Sequence, residues 1–329
     1  MKTRMLFGTV VLAVMAFCAP AAEKRTYPCH RLAQAPAVDG KPDDACWKNI
    51  PEATGFYVFP GSGKYALEKQ TYFKAGWTDE ALYLAVRAEE IAPEKMIASG
   101  KDGGALWSDD SIELFFLPKG APDYTQFIVN SAGSRCNGRG SGSLLGNNVL
   151  KWEARTVVEK TEWFLEARIP FAVLMAQSPK ENDEWPANVA RNILTGPAGE
   201  RCASWPLLQT GFHDVKNFGR FVLKGAAGDK VLEEEKEVNG SYISDMKGEI
   251  RGLADLAGKY EKELAEARKV ETLRAEAEGL LRIWEQEVKA DNAQSDILEW
   301  RAALRAGVDL QEKSDDCISQ GMLEALFRK

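Results

Sequence analysis

Between residues 71 and 223 apolar and polar positions alternate in short runs, each closed by turn residues. A period of two is the signature of half-buried strands. It predicts strands over 71–77 and 82–88, joined by Thr78-Asp79-Glu80 as a hairpin. Further strands follow at 111–117, stopped by Pro118, and at 124–130, ending at Ser131-Ala132-Gly133. A second hairpin pairs 152–159 with 163–169 about Lys160-Thr161, and 189–194 and 218–223 complete the set. The Gly/Ser-rich stretch 138–146 reads as a flexible loop. Many short strands with Gly/Pro-rich turns predict a mainly β fold, an antiparallel β-sandwich of immunoglobulin or jelly-roll type. It would occupy residues 23–224.

The pattern changes after residues 225–239, which read as a linker. Over 243–288 the apolar residues recur every three or four positions, from Ile243, Met246 and Ile250 to Leu280, Trp284 and Val288. That is one apolar stripe on a long helix. Asp291 to Asp296 form a turn, and 297–327 is helical again with a break at Gly307. Residues 240–329 are therefore expected to be a helical hairpin or coiled coil. The stripe must be covered by its own return helix, by the sandwich or by a second copy of the chain. The 14 prolines all precede residue 225, while 39 of the last 100 residues are charged, so the two regions obey different physics.

The chain opens with Lys2 and Arg4, an apolar run from Met5 to Phe17, and Ala19-Pro20-Ala21. This is the layout of a secretory signal peptide over residues 1–22. The run is too short to span a bilayer, and no later stretch is apolar enough. The expectation is an exported protein without a transmembrane segment. In an oxidising compartment, Cys29 with Cys46 and Cys136 with Cys202 are candidate bridges, and buried free thiols are the alternative. The net charge of -7 argues against nucleic-acid binding, since phosphate backbones would be repelled. Two histidines alone, His30 and His213, leave little room for a His-rich metal site or a Ser-His-Asp triad.

Seven segments, in order, carry a family resemblance. They are Asp39-Gly40 with Asp43 and Trp47; Trp77-Thr78-Asp79 with Leu82-Tyr83 and Val86; and Trp107 with Asp110, Glu113 and Phe115. Tyr124 with Asn130 and Gly133, Trp163 with Glu166 and Ile169-Pro170, and Trp185 with Asn188 and Arg191 continue the series. Trp205-Pro206 with Phe218-Gly219 closes it. Together they resemble the family 9 carbohydrate-binding module and its relatives with the same sandwich. The resemblance covers residues 37–223 and stops before the helices. It implies non-catalytic binding of an oligo- or polysaccharide, an association with polysaccharide degradation or uptake, and bound calcium in some members.

Sugars offer apolar C–H faces and hydroxyl edges, so a site needs flat rings and bidentate polar groups. The resemblance places the sugar between two aromatic side chains. Trp107 matches the first, and Trp205, with Phe212 as runner-up, the second. Glu113 shares a strand face with Asp109 and Ser111 and matches a glutamate that accepts sugar hydroxyls. Asp110, Asn130 and Arg191 complete the polar candidates. Calcium is the one ion with a candidate site, at Asp39 and Asp43 about Gly40, where a plain Asx turn is the simpler reading. The acidic residues beside Trp107 lie on one strand entry and do not flank a scissile bond; a partner carboxylate would have to come from elsewhere, such as Glu166. Two other roles fit the sandwich. One is a non-covalent haem module using His30, His213 or a Met, and the other a structural envelope protein assembled through its helices.

Overall fold

The computed structural model describes residues 24–61, 63–140, 144–145, 150–175, 179–283 and 297–327. The expected signal peptide, Trp284, Val288 and the turn at 291–296 lie outside the described residues. Thirteen strands are described: Thr26–Arg31 (β1), Tyr57–Val58 (β2), Thr71–Trp77 (β3), Ala81–Glu89 (β4), Ser111–Phe116 (β5), Thr125–Asn130 (β6) and Arg135–Arg139 (β7). Leu144–Leu145 (β8), Glu153–Val158 (β9), Glu162–Pro170 (β10), Glu184–Asn192 (β11), Cys202–Ser204 (β12) and Gly219–Ala226 (β13) follow. They form one sheet in the order β8-β7-β6-β5-β11-β13-β1-β3-β4-β10-β9, with β12 bridging β11 and β2.

The predicted hairpins are present, with Thr71 opposite Ala88 and Trp163 opposite Val158. The sheet is not purely antiparallel. β1 runs parallel to both β13 and β3, so the N-terminal strand sits in the middle of the sheet. Its buried TYPCHR run lacks the clean alternation that marks a half-exposed strand. The stretch read as a loop, 138–146, holds the end of β7 and all of β8, whose Leu144 and Leu145 pair with Gly138 and Asn137.

Alternate residues of β5, β6, β11, β4 and β10 point inward to one large core. Leu114, Phe127, Val189, Leu84 and Leu165 all belong to it, and it is capped by Trp163, Trp185 and Trp205. Neither candidate disulfide forms, and the free-thiol alternative holds. Cys29, Cys46, Cys136, Cys202 and Cys317 are all free thiols. Cys136 and Cys202 stand on strands four positions apart, roughly 19 Å along the sheet, far beyond disulfide reach.

The linker is structured, ending β13 and then forming the helix Val231–Val238 (α1). The stripe is divided between Gly240–Ala267 (α2) and Arg274–Ile283 (α3), and Ile297–Phe327 (α4) runs through Gly307 without a break. One mid-helix glycine costs only about 1 kcal/mol, which the packing of α4 on α2 offsets.

The stripe is covered within the chain. Met246, Tyr260, Leu264 and Leu273 pack with Leu304, Leu310 and Ile318 of α4 and with Tyr65 of the sandwich. Arg301, 2% exposed, holds both carboxylate oxygens of Glu89 at 2.8 Å and donates to the Leu67 carbonyl at 2.7 Å. Tyr242 lies over Gly55, whose φ of +75° and whose missing Cβ both matter, since an added carbon would sit 2.4 Å from the Tyr242 ring. Among the described residues no helix is long and apolar enough to cross a membrane.

Candidate functional site

On β5 the residues between the inward positions, Ser111, Glu113 and Phe115, face the other way. Register places Asn130, Ile128 and Gln126 of β6 beside them on one side, and Asn192, Ala190 and Asn188 of β11 on the other. The polar members meet at Glu113. Gln126 donates to Glu113 Oε2 at 2.7 Å, and Asn192 donates to Oε1 at 2.7 Å and to the Ser111 hydroxyl at 3.1 Å. Cys202 donates its thiol to Asn192 Oδ1 at 3.6 Å, which leaves the Asn192 amide to face Glu113. Burial pushes the Glu113 carboxyl up, and the two amide donors pull it part of the way back.

Two apolar patches flank this trio, one of them aromatic. Along β6, Ile128 packs with Leu106 and Cys136, and Leu106 begins the 3-10 turn that carries Trp107. Tyr124 packs with Phe115, Leu208 and Phe218, with Phe212 against the same cluster. Gln126 lies between Ile128 and Tyr124, so the polar trio lies between the patch beside Trp107 and the patch holding Phe212. Its side chains are buried, at 3% (Glu113), 6% (Gln126) and 5% (Asn192) exposure, and this strip of the sheet is termed the slot. Trp107 is 46% exposed and Phe212 half-buried.

Both flanks are tied down. Asp109 accepts the amides of Ser99 and Gly100 and the Asn130 side chain, and Asp102 accepts the Arg135 amide. Gly100 approaches so closely that a Cβ there would lie 2.6 Å from the Asp109 carboxylate. On the other flank, Asn188 donates to the Phe212 carbonyl at 3.1 Å, and Tyr124 Oη meets His213 Nδ1 at 2.6 Å. Phe59 packs on Phe212 with centroids 5.8 Å apart.

The sequence model for carbohydrate family 9 binding domain-like proteins matches residues 38–226 of this chain. The chain belongs to the carbohydrate family 9 binding domain-like family. Among solved structures, a family 9 carbohydrate-binding module from Caldicellulosiruptor kristjanssonii in complex with cellotriose is 18% identical. That match covers 63% of this chain and 96% of the module, with a TM-score of 0.46. A Bacteroides uniformis protein for which carbohydrate binding has been proposed is 16% identical, covering 61% of this chain and all (100%) of that one, with a TM-score of 0.50. A search of curated proteins finds no match. The matched range runs from residue 38 to the end of the last strand, so β1 and α1–α4 lie outside it.

Within this family 9-like domain, the expected site residues divide. Trp107, Glu113 and Phe212 belong to the slot or its flanks. Trp205 does not: it is fully buried, with its ring edge-on to Phe73 at 5.3 Å and Phe221 at 6.0 Å and the Arg25 guanidinium over it at 5.1 Å. It has no free face for a ligand. Arg191 follows Ala190, the residue opposite Glu113, so it points to the other side of the sheet. There it donates to the Glu89 and Gln70 carbonyls and pairs with Glu90 at 3.7 Å, while burial lowers its pKa to about 10.

Asp110 is buried as well, accepting the Ile97 amide at 2.8 Å and the Leu194 amide at 2.9 Å. Asn130 shares the Glu113 face, but its carbonyl accepts the Ser134 amide and its amide faces Asp109, which closes the hairpin. These two residues hold loops near the slot without lining it. Gln126 and Asn192 are the slot residues that motif reading missed. The available signal was polar side chains on the Glu113 face of strands otherwise filled with apolar residues.

At the opening segment, Asp39 Oδ1 accepts the Lys41 amide at 2.8 Å, which is the Asx turn, and Asp43 is exposed. No group of three or more His, Cys, Asp or Glu able to hold a metal occurs among the described residues. The carboxylate of this region is Glu166 of β10, which accepts Trp47 Nε1 at 3.0 Å and the Gly40 amide at 3.1 Å. It lies six strands along the sheet from Glu113 and does not share the slot. His30 is bonded to Glu234 and the Gly225 carbonyl, far along the chain from the His213–Tyr124 pair.

Proposed function

We propose that this chain is an exported, non-catalytic carbohydrate-binding protein whose sugar enters the slot between Trp107 and Phe212. The observation that carries the reading is the Glu113–Gln126–Asn192 trio set between the apolar patch whose Leu106 precedes Trp107 and the aromatic patch against which Phe212 packs. A sugar ring presents apolar faces to the aromatics, while its hydroxyl edge meets a carboxylate that accepts and two amides that both donate and accept. Phe212 takes the second aromatic role, since Trp205 is in the core. Family membership supports glycan as the ligand, and the apolar leader of residues 1–22 supports export. A role in polysaccharide breakdown or uptake follows from the same membership.

Calorimetric titration with gluco- and xylo-oligosaccharides tests the reading. Glucose and cellotriose, both held by the Caldicellulosiruptor module, are the first probes. Binding that is lost in Trp107→Ala and weakened about tenfold or more in Glu113→Gln is the expected result. Unchanged affinity in both variants overturns the slot.

A further inference from the structure

A cavity of about 570 Å³ opens where the helices dock on the sandwich. Val58, Pro60 and Tyr65 form its sandwich side, and Glu249, Arg305 and Asp309 its helical side. Its size is that of a small-molecule site. We propose that this cleft is a distal subsite for the same glycan, so that the appended helices lengthen the chain the protein recognises. The inference rests on the slot reading above.

Three observations join the cleft to the slot. First, the pairing register runs straight from one to the other. Glu113 stands opposite Ala190, Ala190 opposite Ser204, Ser204 opposite Tyr57, and Tyr57 opposite Tyr65. Residues so paired share one sheet face, and four strand steps span roughly 19 Å, the reach of an oligosaccharide rather than of one sugar. Ala190 and Ser204 are buried on that line, so a ligand joining the two sites crosses the half-buried Phe59 and Phe212 packed over the cluster that holds Ala190. Second, the two sites share a wall. Phe59 packs on Phe212 at the slot, while its neighbours Val58 and Pro60 line the cleft. Third, the loop residue Glu200 lines the cleft two positions before Cys202, whose thiol is bonded to Asn192 in the slot.

The chemistry of the cleft fits a neutral polyhydroxylated chain. Tyr65 and Leu67 supply apolar surface, and Tyr65 stacks on Tyr57 at 4.4 Å with its hydroxyl donated to Asp245 at 2.6 Å. Carboxylates accept and Arg305 donates, so both halves of a hydroxyl's hydrogen-bonding capacity can be met. Arg305 is only loosely engaged, 3.7 Å from Glu68 with both side chains more than a third exposed, and can turn to a ligand.

The test uses the full chain and compares affinities for the trimer and the hexamer of each gluco- and xylo-oligosaccharide series. The hexamer is expected to bind about tenfold more tightly than the trimer. Arg305→Ala and Asp309→Asn, both surface changes, are expected to bring that ratio close to one. Equal wild-type affinities for trimer and hexamer, or a ratio untouched by both substitutions, overturn the distal subsite while leaving the slot intact. No binding of any member of either series overturns the slot reading, and this inference with it.

Discussion

Asn192 reaches across from β11 to hold one oxygen of the Glu113 carboxylate at 2.7 Å. Gln126 holds the other from β6, so the carboxylate faces a donor from each neighbouring strand. Glu113→Gln replaces an acceptor with a donor and sets two amide N–H groups against each other. Sugar affinity is expected to fall by about tenfold or more, the scale of one hydrogen bond to a charged group. Burial has raised the pKa of Glu113, so wild-type affinity should weaken as pH falls through it, a dependence that Glu113→Gln lacks. Calorimetry across a pH series reads both effects.

Trp107 and Trp205 should respond in opposite ways. Trp107→Ala removes a half-exposed ring, and stability should stay within about 0.5 kcal/mol while sugar binding is lost. Trp205→Ala empties a core site among Tyr27, Phe73 and Phe221, and should cost about 3–5 kcal/mol in a denaturant melt. Equal stability losses would place both rings in the core.

Arg301 and Glu89 form a nearly buried, two-pronged ion pair between α4 and β4. Arg301→Ala leaves the carboxylate facing Tyr72 without its cation and should destabilise the chain by about 3–5 kcal/mol. Truncation after residue 229 should be worse, because it strips the cover from Tyr65 and Gly55 as well. The expected product is insoluble or unfolded, and a soluble, cooperatively folding fragment would show that the docking adds little.

Glu166 provides a pH test at the opposite end of the sheet. Burial pushes its carboxyl from an ordinary value of 4.5 up to about 7. Between those values the folded chain keeps a proton that the unfolded chain has released. Its contribution to stability is therefore full below about pH 4.5 and declines as pH rises through about 7. Glu166→Gln should flatten that part of the stability-against-pH curve, and an unchanged slope would show that Glu166 is already ionised in the fold.

Much of the architecture was legible in the residues. Alternation marked β3, β4, β5, β6, β9 and β10, because each has an inward face that must be apolar. The spacing of Trp107, Asp110 and Glu113 set those three close together, on a turn and the strand that follows it. The stripe from Met246 to Leu280 showed that the tail is helical and needs a cover.

Other features depend on partners distant in the chain, which periodicity does not identify. Burial separated Trp205 from Phe212, because what surrounds a ring depends on strands far away in sequence. Strand pairing turned Arg191 away from Glu113 and brought Gln126 and Asn192 to it. The docked surface of the sandwich, through Tyr65 and Glu89, joined α4 in covering the stripe. Local sequence dictates which side of a strand or helix is apolar, whereas only the folded sheet decides which polar groups meet across it.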